Sequence, residues 1–100
     1  MVERRAAVRY GLCLHIRVIL AGGELRGRTT DISTRGIHFQ VDKYLMPLRE
    51  ITLICTLPSE VTRDTEVNIH AIARIVRVIE HDKLFNVAAE IENYKIIRTE

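Results

Sequence analysis

The sequence lacks the residue patterns from which metal, redox and catalytic sites are commonly built. It contains two cysteines, and Cys13 and Cys55 lie in separate apolar segments without a CxxC spacing. This arrangement favours buried thiols in a reducing compartment over a disulfide or a metal pair. The four histidines lack HxH or HxxxH spacing, and no Ser-His-Asp order, paired carboxylates or phosphate-binding loop is evident. We therefore expect no metal, no cofactor and no enzymatic activity.

Long apolar runs are also missing. None approaches the about 20 residues that a membrane-spanning helix requires, and the basic N-terminus lacks the apolar stretch of a signal peptide. With five glycines and two prolines, the chain is not fibrous or low in complexity, and 47% hydrophobic and 28% charged residues are typical of a globular protein. We expect a single soluble, cytoplasmic domain over residues 1–100.

The sequence is rich in alternating apolar and polar residues, which is the period of a half-buried β-strand. Residues 12–20 show this alternation most clearly. Similar patterns predict strands over residues 25–32, 37–41, 51–57, 67–79 and 84–91. Short glycine-containing or polar turns connect several of them, which favours an all-β fold, a six-stranded antiparallel barrel.

Two features of the second half refine this prediction. The apolar face of the fifth strand swaps near positions 74–78, which predicts a bulge or bend of the kind that barrel closure requires. Apolar residues within 90–97 recur at helical spacing, so we also expect a short C-terminal helix. In this division, residues 1–11 form a flexible arginine-bearing loop, residues 12–91 the barrel and residues 92–100 a tail.

Two short motifs carry the functional signal. Arg5 and Arg9 form an RxxxR pair before the first strand, and Asp31, Ser33 and Gly36 form DxSxxG at the end of the second. Each motif alone is common in proteins, but their order, spacing and β context are specific when taken together.

Together with the order of the strands, these motifs resemble the PilZ domain family over essentially the whole chain. The resemblance implies a receptor for the bacterial second messenger cyclic di-GMP, with Arg5 and Arg9 clamping the ligand. Asp31, Ser33 and Gly36 would then form the half of the site on the barrel. Arginine suits both phosphodiesters and guanine O6 and N7, while a carboxylate accepts hydrogen bonds from guanine nitrogens. Glycine permits a turn with positive φ and leaves room for the ligand.

The resemblance also implies a mode of signalling. Arg4 is a further candidate, for holding a second stacked ligand molecule, because guanidinium groups pair with phosphate and stack on purines. Ligand binding is expected to order residues 3–10 and so change the surface offered to a partner protein. The resemblance implies that this partner is a motility, pilus, polysaccharide-synthesis or regulatory component.

Interpretations other than a cyclic di-GMP site remain open. The arginines alone suit a solvated basic tail, and Asp31 and Ser33 alone suit turn capping. A PilZ-like module that binds proteins without ligand is the first alternative function, although the intact motif disfavours it. A small barrel that binds nucleic acid is the second, but five aromatic residues and a net charge of +2 are low for that class.

Overall fold

Six antiparallel strands form a closed barrel. The computed structural model describes residues 13–63 and 65–98. In order along the chain, the strands are β1 (His15–Leu20), β2 (Gly23–Ile32), β3 (Gly36–Val41), β4 (Glu50–Leu57), β5 (Val67–His81) and β6 (Leu84–Arg98). They close in the order β1-β2-β3-β6-β5-β4, with β4 paired back to β1. The predicted six-stranded all-β barrel is confirmed.

Helical structure in the described part of the chain is limited to one turn, α1 (Ser59–Thr62), between β4 and β5. No helix in residues 13–63 and 65–98 is long and apolar enough to cross a membrane.

The inward-facing residues of the strands form one core. Their alternation on β1 and β3 follows the sequence pattern, and the buried residues of these strands are Ile16 and Val18 on β1 and Ile37, Phe39 and Val41 on β3. Burial of each large aliphatic or aromatic side chain contributes about 1.5–3 kcal/mol, so these positions dominate the stability of the barrel. The largest fully buried apolar side chains are Phe39, Ile16, Leu45, Leu53, Ile75, Val18, Val41 and Val87.

Thr29 joins the start of the described chain to β2. Its side chain is fully buried, and its Oγ1 accepts a hydrogen bond of 2.9 Å from the Leu14 N–H. The Thr29 N–H in turn donates to the Leu14 carbonyl at 2.8 Å. The chain therefore enters β1 beside the last third of β2.

A bulge on β2 reverses which of its residues face outward. Thr29 pairs with Phe39, but Asp31 pairs with the next residue of β3, His38, so that Thr30 is the extra residue. Thr29 faces the core, and in a regular strand Asp31 would face it too, because side chains alternate with a period of two. The bulge instead turns Asp31 to the outer surface beside His38.

A second bulge does the same on β5. Ile75 and Arg77 pair with the consecutive residues Ala89 and Ala88 of β6, so Val76 is the extra residue. Ile75 is buried in the core, whereas Arg77 lies on the outer surface. The predicted face swap at positions 74–78 is confirmed.

The C-terminal region differs from the expectation. Residues 90–97, which we expected to form a helix, continue β6 instead, and the strand pairs with β5 as far as the Val67 and Arg98 pair. The predicted short C-terminal helix is therefore wrong, and most of the expected tail at 92–100 belongs to a strand. The first half of β5 has a row of backbone N–H and C=O groups along the edge that faces β6. A strand over residues 90–98 forms hydrogen bonds with these groups, whereas a helix there would leave them without backbone partners.

The two cysteines occupy different environments. Cys55 on β4 is buried, and this burial raises the pKa of its thiol to about 11. Cys13 is exposed. The expectation of buried thiols is thus confirmed for Cys55 and wrong for Cys13. The alternating pattern begins at residue 12, but β1 begins only at His15, so Cys13 precedes the strand.

Candidate functional site

The turn between β2 and β3 carries the DxSxxG residues, and Ser33 closes it. The Ser33 N–H donates to the Gly36 carbonyl at 2.9 Å, and the Ser33 hydroxyl lies 3.3 Å from the same oxygen. The hydroxyl also accepts from the Arg35 N–H at 3.3 Å and the Gly36 N–H at 3.2 Å. A hydroxyl has one proton and two lone pairs, so these contacts use its whole hydrogen-bonding capacity. Ser33 therefore caps the turn.

A glycine suits position 36 for a reason other than the one expected. It is the first residue of β3, and the one described glycine with a positive φ is Gly23, so the expectation of a positive φ at Gly36 is wrong. A Cβ built on Gly36 would lie 3.3 Å from the carbonyl oxygen of Ala89, which is tighter than ordinary van der Waals contact. On β3, Gly36 alternates with the buried Ile37, so this Cβ would also protrude from the outer surface.

Asp31 presents its carboxylate on the same surface. Its Oδ2 lies 3.6 Å from His38 Nδ1, and the two side chains are 25% and 36% exposed. The Asp31 carboxylate is thus partly shielded from water, and its exposed part lies on the outer surface of the barrel. The structure thus brings Asp31, Ser33 and Gly36 together at one end of the barrel.

The candidate arginines Arg4, Arg5 and Arg9 lie outside the described residues. The chain enters the described barrel near the DxSxxG turn, since Leu14 is hydrogen-bonded to Thr29. Leu14 therefore lies toward the same end of the barrel as the DxSxxG turn.

Two residues on the same outer row as Asp31 were not singled out by the sequence. His38 lies next to it on β3, and Arg77 lies on the same outer row, two strands beyond His38. A hollow of about 150 Å³ separates His38 from Arg77. The signal for Arg77 was the face swap on β5, which indicated the bulge but not which residue the bulge would bring to the site.

A larger groove, of about 550 Å³, lies over β1, β4 and β5 and contains none of the DxSxxG residues. At its edge Arg17 donates two hydrogen bonds to Glu24, at 3.0 and 3.1 Å. The Arg17 guanidinium holds the pKa of the Glu24 carboxyl below its usual value. This exposed pair contributes little to stability and offsets part of the positive charge of the groove.

Within residues 13–63 and 65–98, no group of three or more His, Cys, Asp or Glu side chains is placed to hold a metal ion.

Comparisons with known proteins agree with the barrel fold. A family model described as PilZ domain matches residues 3–95. Among solved structures, the Bacillus subtilis inhibitor of motility, MotI/DgrA, is similar with a TM-score of 0.79 and 20% sequence identity, over 94% of this chain and 45% of that one. This chain thus spans less than half the length of that protein, and the likeness concerns the fold. No curated protein sequence matches this chain.

Proposed function

The chain belongs to the PilZ domain family, whose model matches residues 3–95, and from this premise we propose that it is a cyclic di-GMP receptor. The proposal includes a relay of the signal to a partner protein, with no chemistry performed by the domain itself. The observation that carries it is that the β2 bulge directs Asp31, the first residue of DxSxxG, to the outer surface of the barrel.

Asp31 supplies the recognition of guanine. Its carboxylate faces outward beside His38 and is partly shielded, as a hydrogen-bond acceptor for a base edge should be. Guanine offers two donors on one edge, the N1–H and the N2 amino group, and an ionised carboxylate has two oxygens to accept them. Ser33 holds the turn that positions Asp31, and Gly36 leaves the surface beside it open to the ligand.

Arg5 and Arg9 supply the cations for the phosphates, with Arg4 available to a second ligand molecule. Arg9 precedes Leu14 by 14 − 9 = 5 residues, a length of chain that spans up to about 17 Å when extended. The Leu14 and Thr29 hydrogen bonds fix the start of this span two residues from Asp31. Arg9 is therefore within reach of a ligand held at Asp31.

The proposed relay requires a ligand that contacts both motifs. A ligand that contacts both the barrel and residues 3–10 shifts the population of that segment toward one arrangement, and so alters the surface beside the barrel. A partner that binds this altered surface reads the signal. The fold likeness to an inhibitor of motility makes a motility component one class of partner to test.

Isothermal titration calorimetry with cyclic di-GMP tests the receptor function, with GTP and cyclic AMP as control ligands. We expect saturable binding by the wild type. Arg9→Ala or Asp31→Ala should each remove a charge-assisted contact of about 1.5–3 kcal/mol, or roughly ten- to hundredfold in affinity. Arg26→Ala, which removes an exposed arginine distant from the turn, should leave affinity unchanged.

Circular dichroism of each variant establishes that the barrel is folded. Folded wild-type protein that gives no heat at tens of micromolar ligand refutes the receptor function and favours the ligand-independent interaction module. An affinity for oligonucleotides that is steeply salt-dependent and exceeds that for cyclic di-GMP would favour the nucleic-acid-binding alternative.

A further inference from the structure

Four residues on four neighbouring strands form one row across the outer surface of the barrel. Asp31 on β2 pairs with His38 on β3, His38 with Ala88 on β6, and Ala88 with Arg77 on β5. Neighbouring strands are about 4.8 Å apart, so the row spans roughly 14 Å between the Cα atoms of its ends. The outer surface that carries Asp31 therefore extends across β3 and β6 to Arg77 on β5.

Both ends of this row face outward because of a bulge. Thr30 is the extra residue before Asp31, and Val76 is the extra residue before Arg77. In a regular strand each of the two charged residues would face the core. Bulges re-aim side chains and are frequent beside binding sites. Here two separate bulges bring an acid and a base to the same row.

A hollow lies in this row between His38 and Arg77, because the residue between them is an alanine. Its volume is about 150 Å³. An apolar cavity of about this volume accommodates benzene, so the hollow is large enough for a flat aromatic ring. The residues that line it are Thr30, His38, Phe39, Arg77, Ile79, Asn86, Val87 and Ala88. Apolar residues and residues with hydrogen-bonding groups both contribute to this lining, which is the pattern of a small-molecule subsite.

The Arg77 guanidinium is available at the rim of this hollow. None of the described carboxylates is within salt-bridge distance of it, whereas Arg74 on the same strand lies 3.7 Å from Glu92. An exposed guanidinium presents a planar fork of donors to an incoming ligand.

From this arrangement we infer that the hollow over Ala88 is a base subsite for a guanine of the ligand, and that Arg77 recognises that guanine. The inference rests on the proposed cyclic di-GMP function and extends it to β5 and β6. A guanidinium fork donates to both guanine O6 and N7. Adenine has an amino donor in place of O6, so the same fork disfavours it. Arg77 therefore adds selectivity for guanine over adenine to that given by Asp31.

Arg77→Ala, measured by calorimetry against cyclic di-GMP and cyclic di-AMP, tests the assignment. Loss of a bidentate contact should weaken cyclic di-GMP binding by about 5- to 150-fold. Binding of cyclic di-AMP should weaken less, so the Kd for cyclic di-AMP divided by the Kd for cyclic di-GMP should fall. Arg77→Lys, which keeps the charge without the fork, should resemble Arg77→Ala. Arg26→Ala is the matched control for loss of one exposed positive charge.

A second variant tests the hollow itself. Ala88→Leu keeps every charge but fills the space between His38 and Arg77, and it should weaken cyclic di-GMP binding at least tenfold with an unchanged urea midpoint. Normal affinity in Ala88→Leu, or an Arg77→Ala affinity equal to that of Arg26→Ala, overturns the inference. Equal losses for both ligands in Arg77→Ala also overturn it, since they indicate a phosphate contact.

The failures of the two proposals are distinguishable. If the folded wild type does not bind cyclic di-GMP, the receptor function and this subsite are both refuted. If the wild type binds and Asp31→Ala weakens binding while the Arg77 and Ala88 variants do not, the receptor function stands and the subsite alone is refuted.

Discussion

Replacing Ser33 by alanine should lower the stability of the barrel more directly than it lowers ligand affinity. The Ser33 hydroxyl lies 3.2–3.3 Å from three backbone groups of its own turn, which fill its hydrogen-bonding capacity. A direct bond to ligand would have to displace one of them. We therefore treat Ser33 as a residue that positions Asp31 and Gly36.

The size of the effect follows from what the turn loses. The Gly36 carbonyl keeps its bond of 2.9 Å from the Ser33 N–H, and the exposed Arg35 N–H can bind water instead. The half-buried Gly36 N–H is the group left worst satisfied. One net hydrogen bond is worth about 0.5–1.5 kcal/mol, so Ser33→Ala should lower the free energy of unfolding by about 1 kcal/mol.

Urea denaturation followed by far-ultraviolet circular dichroism measures this change. With a denaturant slope of about 1.5 kcal/mol per molar, the midpoint should fall by roughly 0.3–1 M. Affinity for cyclic di-GMP should fall less than tenfold, against a larger loss in Asp31→Ala. An unchanged midpoint in Ser33→Ala, combined with a loss of affinity as large as that of Asp31→Ala, would refute this reasoning and place the hydroxyl on the ligand.

Two further predictions concern the barrel itself. A Cβ on Gly27 would collide with the backbone carbonyl of Gln40, so Gly27→Ala should cost about 1–3 kcal/mol in urea denaturation. Gly22→Ala, which meets nothing within 4 Å, should change stability by no more than about 0.5 kcal/mol, and equal costs would contradict the close strand contact. A thiol reagent at pH 8 should label Cys13 in the native protein but Cys55 only on unfolding, because the thiolate reacts and burial raises the pKa of Cys55 to about 11. Peptide mass spectrometry reads out the labelled site, and equal native rates would show that β4 opens readily.

The sequence predicts one of the two outer-face bulges and misses the other, for a physical reason. On β5, the apolar residues Ile75, Val76 and Val78 break the period of two, so the swap of faces is visible. On β2, the inward residue is Thr29, which is polar and lies next to another threonine. The pattern therefore gives no sign there that the strand changes face before Asp31. Because the buried residue before the bulge is a hydrogen-bonded threonine and not an apolar residue, the hydropathy pattern does not reveal the bulge.

The C-terminal strand was missed because its cause is not local. Ile91, Tyr94 and Ile97 recur every third residue, which suits a helix stripe as well as an irregular strand. The length of β5 decides between them, since its residues pair with β6 as far as Arg98. Periodicity within a short window contains no information about the partner that a segment will find.

The same distinction between local and long-range information separates the two halves of the proposed site. Asp31, Ser33 and Gly36 share one turn, so a motif can reveal them. Arg77 joins them only when β6 pairs with both β3 and β5, and its outward direction depends on the extra residue Val76. A shift of one residue between β5 and β6 would turn Arg77 toward the core and remove it from the row. The proposed guanine selectivity therefore depends on the register of the barrel as much as on the residues of the motif.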